Sequence, residues 1–258
     1  MRMLQALIIS AFLFSPAHAE DKALADLFSA AGVEGTIVLS RLDAGREFVH
    51  ADRRAALRLP VASTFKIFNS LIALDEGVIA GTDAVLTWDG RIHDFPDWNR
   101  DQTLASAYKV SCVWYYQELA RRIGPQKYRA HLRAANYGQL REPFDATAFW
   151  LDGSLQISAL EQVAFLRKII RRSLPYKAAS YDALRDLMVL EKNDGYTLRA
   201  KTGWATRLTP QIGWFVGYVE TPDAVWIFAA NIDIRDRNDL PLRQALTLQG
   251  LKAKGVIP

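Results

Sequence analysis

The sequence predicts a two-lobed α/β enzyme, with one antiparallel sheet built from both ends of the chain and a mostly helical lobe from its middle. Three observations carry that expectation. Segments rich in branched and aromatic residues, patterned as strands, occur at 36–50 and again at 196–232, on either side of a helix-patterned region. A helical stretch after Pro60 is apolar in nearly every direction, as an element buried on all sides must be. The chain has 258 residues, half of them hydrophobic, and no repeat or Pro/Gly/Ser linker divides it, so one large core is affordable.

Taken in order, residues 1–19 read as a cleavable signal peptide. Arg2 supplies the positive start, residues 3–14 the apolar run, and Ala17-His18-Ala19 the small-x-small cleavage site. The run is too short to span a bilayer. With no cysteine near the cleavage site, no lipid anchor is expected after leader cleavage. Residues 20–258 then form a single periplasmic domain. Net charge is +4, or +3 once Arg2 leaves with the leader. Acids and bases interleave, so there is no basic stripe and no nucleic-acid partner is expected. A homodimer is compatible with the sequence.

Strands are expected at 36–40 and 47–50, joined by a turn at Asp43-Ala44-Gly45. The buried helix opens after Pro60 and stops at Gly77, where a residue free to take positive φ ends the last turn. Residues 97–100 read as a loop. A helix over 112–123 stops at Gly124-Pro125, and another covers 126–136. Ser158 with Glu161 forms a capping-box pattern ahead of a helix running to Ile170. A further helix is expected over 181–190. The period then changes to that of strands at 196–202, 211–220 and 224–232, with a turn at Thr221-Pro222-Asp223. An amphipathic helix over 240–253 closes the chain. The functional site belongs between the lobes.

The first turn of the buried helix carries Ser63 and Lys66. Three residues apart on a helix, their side chains share a face and can touch. Apolar neighbours Phe65, Ile67 and Phe68 disfavour the charged ammonium, as does the positive end of the helix. A hydroxyl beside a neutral amine is a nucleophile with its base. A second Ser-x-x-Lys, Ser106 to Lys109, lacks such surroundings and reads as a capping serine with a solvated lysine. Cys112, the only cysteine, excludes an intrachain disulfide and reads as a buried structural residue. His50, His93 and His131 are isolated, so no metal site is expected. Phosphate-binding glycine loops and the G-x-S-x-G elbow are absent.

Three short motifs follow in order: Ser63-Thr64-Phe65-Lys66, Ser111-Cys112-Val113 and Lys201-Thr202-Gly203. Together they resemble the penicillin-recognising serine enzymes. The valine at 113, where class A enzymes carry asparagine, makes the chain similar to the class D (oxacillinase-type) serine β-lactamases. Phe149-Trp150-Leu151-Asp152-Gly153, Trp98-Asn99-Arg100-Asp101, Gly213-Trp214-Phe215-Val216-Gly217 and Leu240-Pro241-Leu242-Arg243 extend the resemblance from about Gly35 to the C-terminus.

The resemblance implies the two-lobed fold of those enzymes and hydrolysis of small-molecule β-lactams such as penicillins, conferring antibiotic resistance. It implies Ser63 as the acylated nucleophile and Lys66 as a carbamylated base (N6-carboxylysine), with carbon dioxide or bicarbonate as the only accessory group. Trp150 would hydrogen-bond the carbamate, while Val113, Phe65 and Leu151 keep the pocket dry. Ser111 would pass a proton to the lactam nitrogen, with Lys201 adding positive charge. Thr202 and Arg243 would hold the substrate carboxylate beside Gly203. The backbone N–H groups of Ser63 and Trp204 would bind the oxyanion. The loop 204–210, with Arg207, is similar to that of members that hydrolyse carbapenems. Gln139 departs from the family, which commonly has asparagine after the Tyr-Gly pair. Two alternatives remain: a β-lactam sensor or transpeptidase-like penicillin-binding protein that acylates without turnover, and a dead binding module. The latter would lack one of Ser63, Lys66 or Lys201, and all three are present.

Overall fold

A computed structural model describes residues 20–43 and 47–258. The expected signal peptide, and Ala44 and Gly45 of the expected turn, lie outside the described residues.

The described chain begins with α1 (Lys22–Ala31), whose first turn is capped by the Asp21 carboxylate accepting from Leu24 N. Then come β1 (Gly35–Arg41), β2 (Glu47–His50), the short α2 (Asp52–Ala56) and β3 (Leu59–Pro60). The expected buried helix is in two pieces. A 3-10 turn, Ala62–Phe65, leads into α3 (Lys66–Asp75), with Gly77 at φ 65° just beyond it. A two-residue ribbon, β4 (Val85–Leu86) with β5 (Gln102–Thr103), precedes α4 (Leu104–Lys109). Next, α5 (Val113–Ile123) and α6 (Pro125–Ala135) are separated by Gly124 at φ 81°, with Pro125 opening the second helix. β6 (Gln139–Leu140) and β7 (Leu155–Ile157) pair with β3 in a small sheet.

α7 (Ala159–Ile170) starts at the Ser158–Glu161 capping box, present in both directions. α8 (Ala178–Leu187) ends three residues earlier than expected, and the chain turns into β8 (Val189–Lys192). The run Leu187-Met188-Val189-Leu190 keeps helical spacing, but pairing with the next strand overrides it. β9 (Thr197–Ala205), β10 (Gln211–Glu220), β11 (Val225–Ile234) and α9 (Leu242–Ala253) complete the fold.

The six-stranded sheet runs β2-β1-β11-β10-β9-β8, antiparallel throughout. The expected junction of N- and C-terminal strands is thus the β1–β11 ladder, with Val38 opposite Ala229. The sixth strand, β8, was not expected, nor were α1, α2 and α4. One face of the sheet is covered by α1 and α9 around Leu24, Phe28, Phe215 and Phe228. The other face carries α7, which therefore packs on the sheet rather than belonging to a separate helical lobe.

On that second face the larger core surrounds α3, whose Phe68, Leu71 and Ile72 have no exposed surface. Phe65 sits among Phe68, Tyr128, Tyr137, Phe149 and Trp150, with ring centroids 5.1–6.3 Å apart. Each such side chain contributes about 2 kcal/mol by leaving water. The 3-10 turn that leads into α3 packs against β9.

Candidate active site

The 3-10 turn ahead of α3 tightens the backbone so that Ser63 and Lys66 meet. Lys66 Nζ donates to Ser63 Oγ at 2.8 Å. Lys66 is fully buried, and burial lowers its pKa from the ordinary lysine value to about 7. Its ammonium position lies 5.1 Å from the centre of the Tyr116 ring. Ala62, immediately before Ser63, has φ 48°, and Ser111 has φ 58°. Neither is glycine, and such conformations cluster where a backbone is held for function.

Ser111 lies between α4 and α5 with its Oγ buried and without a hydrogen-bond partner. The Trp150 indole is fully buried, 6.0 Å from the Phe65 ring and tilted 31° to it, and its Nε1 also has no partner. Buried donors are ordinarily satisfied, so both point to a group that joins them during the reaction. Cys112 is buried and its thiol is pushed up to about 11 by burial, which fits the structural role expected of it.

β9 brings Lys201, Thr202, Gly203 and Trp204 to the same place. Gly203 is needed there: a Cβ on it would lie 3.0 Å from Thr64 Cγ2 and 3.2 Å from Trp214 Cβ. Without a side chain, the strand can lie against the turn that carries Ser63. Lys201 is buried, donates to the Thr202 carbonyl at 3.1 Å, and has its pKa lowered well below the ordinary lysine value. Burial is the main cause, followed by Lys66 and Arg243 as neighbouring positive charges. From α9, Arg243 Nη1 donates to the Gly203 carbonyl at 2.7 Å, while its Nε is buried without a partner. Burial lowers its pKa to about 10. Among the described residues no carboxylate bears on any of these three groups. Three basic side chains with no carboxylate among them suit an anion.

Ser63, Ser111, Thr202, Gly203 and Arg243 line one cavity of about 380 Å³, closed by Val113, Leu151 and Trp204. Sequence reasoning assigned no site role to five of its walls: Phe95, Trp98, Val110, Thr206 and Leu240. Phe95 and Trp98 stack with centroids 4.6 Å apart, and Trp98 Nε1 donates to the Val110 carbonyl at 3.0 Å. Their loop has no periodic pattern; the resemblance marks Trp98 through the Trp98-Asn99-Arg100-Asp101 motif, but nothing comparable marks Phe95. Arg207 is exposed, and its neighbour Thr206 lines the cavity instead. Gln139 is exposed on β6, accepts from Arg58 at 3.0 Å, and is not a wall of the cavity. The second Ser-x-x-Lys is structural, since Ser106 forms a capping box with Thr103 and Lys109 is exposed.

A family model described as the penicillin binding protein transpeptidase domain matches residues 41–251. Beta-lactamase OXA-48 of Klebsiella pneumoniae is 44% identical over 225 residues, covering 87% of this chain and 85% of that one. The solved structure of FUS-1 (OXA-85), a class D β-lactamase from Fusobacterium nucleatum, superposes with a TM-score of 0.90 at 37% identity. That match covers 93% of this chain and all of the other. Regulatory protein BlaR1 of Bacillus licheniformis is 37% identical over 236 residues, which are 90% of this chain but only 38% of that protein.

Proposed function

This chain belongs to the class D β-lactamases, serine hydrolases of the β-lactam ring, and we propose that it opens that ring through an acyl-enzyme on Ser63. The observation that carries the residue assignment is the 2.8 Å contact between Ser63 Oγ and a fully buried Lys66 Nζ.

Substrate enters the cavity with its carboxylate toward Thr202, Lys201 and Arg243, where a charge-assisted pair replaces lost hydration. Its carbonyl carbon lies over Ser63. The backbone N–H of Ser63, at a helix start where such groups lack acceptors, and that of Trp204 receive the developing oxyanion. Ser63 Oγ bonds to the carbonyl carbon while its proton leaves toward Lys66. The carbon–nitrogen bond of the lactam breaks, and Ser111 Oγ relays the proton held at Lys66 to the departing nitrogen, giving one proton and receiving another. Water then cleaves the ester and returns Ser63. Val113, Leu151 and Phe65 keep the surroundings apolar, so that the Lys66 amine stays neutral.

The residues suit a carbamate on Lys66: with its pKa lowered to about 7, a large share of the amine is neutral at neutral pH, and the Trp150 indole N–H is a buried donor without a partner. Bound there, carbon dioxide would supply a carboxylate-like general base for both acylation and deacylation. Hydrolysis of carbapenems rests on the likeness of the 204–210 loop alone. Secretion to the periplasm rests on the leader at 1–19, and no described helix is long and apolar enough to cross a membrane.

Steady-state turnover of a chromogenic cephalosporin tests the reading. Many turnovers per protein are expected. A single stoichiometric burst would instead make the chain a sensor or transpeptidase-like protein that stays acylated.

A further inference from the structure

Lys201 raises a problem of its own. It is buried, two other basic side chains, Lys66 and Arg243, are its neighbours, and no acid among the described residues compensates it. What faces it is the Tyr108 ring of α4, also buried, with Lys201 Nζ 5.6 Å from the ring centre. An ammonium over an aromatic face is attracted by the ring quadrupole, most strongly where water is excluded.

We propose that Tyr108 is a positioning residue for substrate binding: its ring face, with the Thr202 carbonyl, keeps Lys201 an ammonium beside Thr202, a wall of the substrate cavity. The inference rests on the reading of the site as one that takes anionic β-lactams. The ring, not the hydroxyl, does the work, because the Tyr108 hydroxyl reaches only the Ala200 carbonyl, at 3.3 Å. Nor does Tyr108 titrate within the working range. Burial holds its hydroxyl well above the ordinary tyrosine range, and Tyr116 and Tyr218 push it in the same direction.

The groups bearing on Lys201 come from three elements: Lys66 on α3, Arg243 on α9 and Tyr108 on α4. Burial and the first two favour loss of its proton, and the ring and the Thr202 carbonyl oppose it. The two lysines then divide the tasks. Lys66 over Tyr116 must be neutral to act as a base, whereas Lys201 over Tyr108 must be charged to bind.

The test is the pH profile of kcat/KM for a penicillin with wild type, Tyr108→Phe and Tyr108→Leu. Phenylalanine keeps the ring and is expected to reproduce the wild-type profile. Leucine removes it, and a cavity of about 310 Å³ beside Tyr108 and Lys201 leaves room for repacking. Without the ring Lys201 loses its proton more readily, so the alkaline limb moves down by about one pH unit. KM rises about fivefold above pH 8, and the acid limb, set by Lys66, stays where it is. A Leu profile superimposed on wild type, or a Phe profile matching Leu, would overturn the proposal. Nitrogen-15 NMR of Lys201 in the unaltered protein gives a second reading. An ammonium resonance at pH 8 is expected, and an amine resonance there would refute the inference even if the Leu variant does not fold. Absence of any turnover by wild type would count against the hydrolase reading, whereas the NMR result bears on Tyr108 alone.

Discussion

Arg243 on α9 and Gly203 on β9 are tied by a 2.7 Å hydrogen bond from guanidinium to backbone carbonyl. The bond fixes a cation at the end of the Lys201-Thr202-Gly203 strand without involving an acid, so its charge is not neutralised before substrate arrives. One guanidinium nitrogen, Nε, remains buried and unpartnered.

Arg243→Ala should therefore act on binding more than on folding. Losing a charge-assisted pair costs about 1.5–3 kcal/mol, or roughly 10–150-fold in KM for penicillins. The Tm should fall by only a few degrees. Steady-state kinetics beside a thermal melt reads both; unchanged KM would pass the carboxylate to Lys201 and Thr202.

Ser63→Ala should leave the protein folded and unable to form a covalent adduct. Intact-protein mass spectrometry after incubation with a penicillin reads this directly. An adduct on the alanine variant would move the nucleophile to Ser111, the other serine on the cavity wall.

Lys66 ties activity to pH and sets function against stability. Its pKa of about 7 in the folded protein lies below the ~10.4 of an unfolded chain. Between those values the unfolded state binds more protons, so stability rises with pH across that window, and it is lowest below pH 7. Activity should fall as pH drops through 7, because the amine is then protonated. Lys66→Met should abolish turnover yet raise stability at pH 7 in bicarbonate-free buffer, by roughly 2–4 kcal/mol or about 5–10 °C. A lower Tm for the Met variant would mean that the amine is compensated in the folded state.

Trp150→Phe keeps the aromatic packing and removes one N–H. If that donor holds a carbamate, the variant should need more added bicarbonate than wild type, and should accumulate acyl-enzyme on Ser63. Initial rates in degassed buffer, with and without bicarbonate, provide the comparison. Equal responses from both proteins would detach Trp150 from the base.

The parts of the site that could be read in the sequence are those held by local geometry. Ser63 and Lys66 announce themselves because three residues make one helical turn and their neighbours are all apolar. Lys201 and Arg243 carry no such local mark; only the resemblance joined them to a serine well over a hundred residues earlier. Phe95 and Trp98 escaped because loop aromatics have no period to betray which way they face. The strained backbone at Ala62 and Ser111 was equally hidden, since both are residue types that normally avoid positive φ. The end of α8 was misjudged because Val189 and Leu190 suit a helix as well as the edge strand they occupy.

The β1–β11 ladder governs the order in which the enzyme comes into being. β1 leaves the ribosome early, but its partner, which also aligns β10 and β9, is made almost two hundred residues later. Contacts so distant along the chain form slowly. Until that ladder closes, Ser63 exists without the strand that lies against it. A nascent or truncated polypeptide would carry nucleophile and base and still spare the antibiotic. Ring opening thus begins only when synthesis is finished.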